Sequence, residues 1–159
     1  MSEVERKVGY WAPTWEPRYE FEKKIYAGLS MPVPADGYLG SEEHRRFCKL
    51  LGMMEMEVYK YALAHLENRN YRLQQMMERP SHAQMAISED TPKAEIHQYR
   101  GSSDCRCCRQ RNGSREYVFR FEGIKWVWPE GYRHYIEEHG VEPDASFRLM
   151  IYAYFGITP

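Results

Sequence analysis

The chain predicts an α+β fold in which an extended N-terminal arm and a long amphipathic helix pack with a C-terminal ββα unit and a closing helix. Three patterns predict it. Apolar residues recur at intervals of three and four between Phe47 and Leu66, the period of one helix face. Residues 115–128 alternate aromatic with mostly polar side chains, the period of a strand with one buried face. Pro129 and Gly140 then bracket a short segment carrying Tyr132, Tyr135 and Ile136, as a helix start and stop would. With 159 residues, 43% of them hydrophobic, the chain is long enough to bury a core of its own.

The elements follow in order. Residues 1–40 form the arm, where Trp11 and Trp15 alternate with Pro13 and Pro17, and Pro32 and Pro34 precede Asp36-Gly37. Proline fixes φ and biases its predecessor toward extended backbone, so at most a short helix fits here, over about residues 18–27. The arm's aromatics need a surface, and the chain's own core is favoured over a partner. Residues 41–80 form the helical region. Ser41 offers a capping hydroxyl, and Glu42 and Glu43 meet the positive end of the helix dipole. Phe47, Leu50, Leu51, Met54, Val58, Tyr61, Ala62 and Leu66 make its apolar face. Gly52 costs about 1 kcal/mol relative to Ala, which that face offsets. Asn68 and Asn70 are placed to break or kink the helix before a continuation through Met76 and Met77 that ends by Pro80. Met53, Met54, Met56, Met76 and Met77 read as core filler. Residues 81–103 lose the apolar period and read as a linker or irregular loop.

Residues 104–159 form the last unit. Tyr117, Phe119 and Phe121 share a strand face, and Ile124, Trp126 and Trp128 continue it after a turn at Glu122-Gly123. A helix is expected over residues 129–139, with Pro129 in its first turn and Glu130 at its positive end. Pro143 and Asp144 open the closing helix, whose stripe is Phe147, Met150, Ile151 and Tyr154.

Charge and length exclude some partners. The formal net charge is -1, from 22 basic and 23 acidic side chains, so no global field marks the chain for nucleic acid or an anionic membrane. No apolar run approaches the roughly 18 residues of a membrane span, and residues 1–7 are charged rather than apolar. A soluble cytoplasmic protein is the expectation. Three of the four cysteines fall within residues 105–108, too local for a disulfide framework, which leaves Cys48 as an inert thiol in a helical pattern.

Those cysteines carry the chemistry. Cys105 and Cys108 have two residues between them, 25 residues follow, and His134 and His139 have four between them. Two thiolates and two imidazoles in local pairs suit tetrahedral Zn(II), and four protein ligands leave no position for substrate or activated water. The expected metal role is therefore structural. Free thiols beside surface histidines are the plainer alternative. Thiol exchange fits less well, because a turn and hairpin rather than a helix follow the cysteines. One geometric demand stands out: residues five apart project about 140° from one another on an ideal helix, so the last turn must loosen, which Gly140 permits. His97 and Cys107 are the substitute ligands. Asn112-Gly113 reads as a tight turn whose amides point toward the thiolates.

Knuckle, hairpin and ligand-bearing helix follow the ββα order, and residues 105–139 resemble a zinc-finger module of the Cys2His2 type. Their central spacing of 25 departs from the roughly 12 of the common DNA-reading finger, so that family's base-reading positions do not transfer. The series Cys105, Cys108, Asn112-Gly113-Ser114, Trp128-Pro129-Glu130-Gly131, His134-Tyr135 and His139 is also similar to short uncharacterised bacterial proteins. That resemblance implies a shared zinc module and supplies no activity.

Three functions compete. A non-enzymatic protein-interaction or accessory module asks least of the sequence. Nucleic-acid binding, to RNA or single-stranded DNA, draws on Arg106, Arg109, Arg111 and Arg115 around the metal loop, with Arg100 nearby and Asp104 the one acid between Arg100 and Arg115. A zinc deaminase would need a His-x-Glu and a Pro-Cys-x2-Cys element. His65-Leu66-Glu67 supplies the first, but Ser103-Asp104 stands where the second needs proline. No catalytic residue is assigned.

Overall fold

A computed structural model describes residues 3–78 and 91–159. Its elements are β1 (Val4–Lys7), α1 (Glu20–Tyr26), α2 (Glu42–Glu78), β2 (Ala94–Gln98), β3 (Arg115–Phe121), β4 (Ile124–Pro129), α3 (Tyr132–His139) and α4 (Ala145–Tyr154). The fold is α+β. Four strands form one mixed sheet in the order β1-β4-β3-β2, with β1 parallel to β4 and both other pairs antiparallel.

The hairpin of β3 and β4 is the centre of that sheet. Glu122 and Gly123 both take positive φ, 48° and 79°, as a two-residue turn between right-twisted strands requires. Side-chain alternation then aims Tyr117, Phe119, Trp126 and Trp128 at one face, where all four are buried. Helices cover that face: Phe47, Leu51, Met54 and Val58 of α2, Tyr132 and Ile136 of α3, and Phe147, Met150 and Ile151 of α4 complete the core. Phe147 is its hub, with ring centroids 5.1 Å from Trp128, 5.6 Å from Tyr132 and 5.9 Å from Trp126. The opposite face is a charge ladder. Arg120 bonds Glu3 and Glu95 at 2.6 Å each, and Lys125 meets Glu5 at 3.1 Å. Val118 and Val127 sit opposite each other beside this ladder and are buried.

The helix signals hold locally. Ser41 Oγ accepts the His44 N–H at 3.1 Å, and Asp144 Oδ1 accepts the Phe147 N–H at 3.0 Å. Both bonds satisfy donors that a helix start leaves open. Gly52 has a use besides tolerance, since a Cβ there would come within 3.3 Å of the Arg133 guanidinium.

Several expectations are corrected. The arm contributes β1, whose four residues are all exposed, and the stretch expected to be irregular contains β2; of that stretch, residues 81–90 lie outside the described residues, as does Pro80. Both are edge strands, held by backbone pairing rather than by an apolar pattern. Asn68 and Asn70 do not break α2, which runs on as one helix. Met54 is buried, whereas Met53, Met56 and Met77 are 40%, 72% and 84% exposed, and Leu66 is half exposed; the Met76 side chain lies outside what is described. The core simply ends near Ala62 while the helix continues. Pro129 closes β4 instead of opening α3, which begins at Tyr132. The arm's tryptophans divide: Trp11 lies on Tyr132 and Tyr135, while Trp15 is 48% exposed against Tyr26. Among the described residues no helix is long and apolar enough to cross a membrane.

Candidate metal centre

A short loop and one helix end build the site. Asp104 and Arg111 pair as an isolated bridge, the Cys105 N–H donates to Gln110 O at 2.8 Å, and the Arg109 N–H donates to Cys105 O at 2.9 Å. Arg109 takes φ 65° to close the loop. These bonds hold Cys105 and Cys108 in one tight turn. Cys105 is fully buried, and its Sγ accepts the Cys107 N–H at 3.4 Å. Burial pushes the Cys105 thiol up, but the amides of Cys108 and Cys107 and the Tyr135 hydroxyl outweigh it and leave the thiol below its ordinary value. The loop is prepared for a thiolate.

The helix end meets the demand set by the spacing. Gly140 is left-handed at φ 63°, and its N–H bonds to Tyr135 O, five residues back, where a regular turn would use the fourth. The Val141 N–H bonds to the same oxygen at 3.1 Å. This widened turn brings His139 round beside His134, with Nε2 atoms 3.2 Å apart. Cys105 Sγ is 3.4 Å from His139 Nε2, and Cys108 Sγ is 3.3 Å from His134 Nε2. All four donor atoms lie within 4.8 Å of one another and could hold a metal ion. Burial, with His139 beside it, holds His134 below its ordinary pKa, in the neutral form a metal needs.

The donor set suits a four-coordinate metal ion. Metal–sulfur bonds of about 2.3 Å and metal–nitrogen bonds of about 2.0 Å make a tetrahedron with edges of roughly 3.3 to 3.8 Å. The three contacts above fall at or just below that range, and the other donor pairs lie within 4.8 Å. Two sulfurs and two nitrogens complete four-coordination, and no oxygen ligand is needed. No family model, curated protein or solved structure matches this chain.

The substitute ligands stand elsewhere. His97 lies in β2 between Glu95 at 3.4 Å and Glu116 at 3.7 Å, and Cys107 offers its amide to Cys105 while its own side chain is exposed. His65 and Glu67 are on α2, outside the cluster. The Asn112-Gly113 turn does not face the thiolates as expected. Asn112 is buried and its Nδ2 donates to Gly131 O at 3.2 Å, while the Ser114 N–H donates to Glu130 Oε1 at 2.7 Å. A Cβ on Gly131 would fall 2.5 Å from Asn112 O, so glycine permits this close approach. These contacts seat the start of α3 on the strand that leaves the knuckle, and they give the Trp-Pro-Glu-Gly run its physical purpose.

Sequence reasoning passed over three supporting residues. Tyr135 receives the Arg106 N–H at 2.8 Å, and Trp11 lies 5.8 Å from the Tyr135 ring. Arg106 donates from Nε to Ala12 O at 3.1 Å, tying the arm to the knuckle. An aromatic next to a ligand histidine was the available signal for Tyr135; nothing in the sequence pairs residue 12 with residue 106. Of the other candidate arginines, Arg115 bonds the Tyr59 hydroxyl at 2.6 Å, and Arg109 and Arg111 are exposed. A cleft of about 480 Å³ opens between arm and knuckle, lined by Arg100, Arg106, Arg109 and Arg115 with Trp15 and Tyr99; Arg111 is outside it.

Proposed function

We propose that Cys105, Cys108, His134 and His139 hold a structural Zn(II), and that the protein serves as a protein-interaction or accessory module. The convergence of the four donor atoms carries this reading. A filled tetrahedron has no position for a reacting ligand, so the ion fastens the knuckle to α3 and the interaction surface does the rest. The ββα order of knuckle, β3, β4 and α3 supports kinship in design with Cys2His2 modules. Exposed apolar groups away from the metal supply surface for a partner: Phe21 and Ile25 on α1, and the outer part of α2.

A second reading has its own observation. Arg100 and Arg109 line the cleft with exposed Trp15 and Tyr99, the pairing that holds single-stranded RNA or DNA by phosphate contact and base stacking, while Arg106 and Arg115 beside them are bonded within the protein and Asp104 and Glu116 add two acids to the lining. One preparation tests both. Metal analysis of the purified chain should give one zinc per molecule, removed by a chelator together with the knuckle's protection from proteolysis. Binding to single-stranded RNA that weakens steeply with salt would favour the second reading, and its absence alongside a captured protein partner the first. A chain that takes up no metal contradicts both.

A further inference from the structure

Beyond Ala62, α2 carries apolar residues that the described fold does not use. Leu63, Leu66, Leu73 and Met77 are 56%, 50%, 47% and 84% exposed. With Asn70 they occupy positions 63, 66, 70, 73 and 77, spaced three, four, three and four. That is the a-d-a-d-a seam of a heptad repeat, with leucine at both d positions and asparagine at the central a position. The stripe is distinct from the core stripe. Leu51, Met54, Val58 and Ala62 bury one side of the helix, and the seam starts on another side as the core ends.

We infer that the chain forms a parallel homodimer through residues 63–77, with α2 of each copy winding about the other. The occupant follows from the pattern. A heptad seam fits another helix with the same period, and a second copy supplies one in register. Asn70 selects the orientation: in a parallel pair it meets the Asn70 of the second copy and each amide finds a donor and an acceptor, whereas an antiparallel pair sets it against leucine and strands it. The flanks agree. In the parallel register Arg69 faces Gln74 of the second copy, so no like charges meet there, while Ala62 is covered by the chain's own core. Helix economy points the same way. Residues 63–78 remain helical while Leu63, Leu66, Leu73 and Met77 stay exposed, and an isolated helix of this length is marginal in water, so burying that seam would stabilise it.

The proposal does not depend on the metal. Light scattering of the full zinc-loaded chain over a concentration series should show the mass rising from 19.0 kDa toward twice that value. The double variant Leu66→Ser/Leu73→Ser should stay monomeric, with metal content and resistance of the body to proteolysis unchanged. Asn70→Leu should associate at least tenfold more tightly and reach species beyond the dimer. A wild-type chain that is monomeric at several hundred micromolar overturns the proposal, as does a dimer that survives the double variant. Loss of metal in the double variant would instead show that the body itself was damaged, and the milder pair Leu66→Asn and Leu73→Asn, each alone, then decides by the same mass measurement.

Discussion

Glu55 shows how one buried side chain sets a pH dependence apart from the metal. Its Oε2 bonds Arg133 at 3.0 Å, while Oε1 is buried without a partner among the described residues. Burial pushes its pKa from 4.5 up to about 7; Arg133 opposes this, and Glu137 and Glu130 add to it. The folded state therefore binds the proton more tightly than the unfolded state. The resulting stabilisation is complete below pH 4.5 and is lost as pH rises through 7, so ionisation at pH 8 costs about 1–3 kcal/mol. Glu55→Gln should remove this slope. Urea titrations of both proteins from pH 4.5 to 8 should give a difference that grows with pH in the variant's favour; a constant difference would refute the assignment. Gly131 makes a steric prediction at the same scale. Gly131→Ala drives a methyl group against Asn112 O and should cost about 1–3 kcal/mol, measured as a lower urea midpoint.

At the scale of the element, the end of α3 is what makes a site of two histidines five residues apart. Gly140→Ala must hold a side chain at φ 63° with its Cβ 2.8 Å from Leu39 Cβ, a cost of about 1–2 kcal/mol. The widened turn should tighten or fray, and competition with a chromophoric chelator should show weaker metal binding. Unchanged affinity would mean that the turn does not aim His139. The two halves of α2 should also respond differently. Leu51→Ala should cost about 2–5 kcal/mol of stability, while Leu66→Ser, at a half-exposed position, should cost about 0.5 kcal/mol or less in a dilute sample. That contrast marks what could be read from the chain alone. Intervals of three and four announced α2 but do not distinguish a stripe on a core from a stripe on open helix, so Met56 and Leu66 looked buried. The hairpin was legible because Tyr117, Phe119, Trp126 and Trp128 repeat the strand period with large rings. Edge strands β1 and β2 were not, since charged edges such as Val4–Lys7 gain their structure from the backbone of a neighbour. The clustering of Cys105, Cys108, His134 and His139 was legible because two short spacings announce it; the supports at Tyr135, Arg106 and Asn112 were not, because they join distant segments.

For the whole molecule, two organising centres share α3. Tyr132 and Ile136 face the large core, while Tyr135 joins Cys105, Val141 and Trp11 in a small cluster beside the ligands. The sheet and α2 have a packed core without any ion, so the large core should outlast metal removal. The knuckle is different: its backbone bonds are few, and the proposed ion is what would tie Cys105 and Cys108 to the end of α3. Chelation should therefore expose residues 100–115 to proteolysis and release the arm held by Arg106 and Trp11, with the helical circular dichroism largely kept. Complete unfolding on chelation would place the metal at the centre of the whole fold instead. The most direct test of the account is X-ray absorption at the zinc edge of the loaded protein. Two sulfurs at about 2.3 Å and two nitrogens at about 2.0 Å are expected; a shell of oxygen and nitrogen, or one with a single sulfur, would contradict the proposed centre.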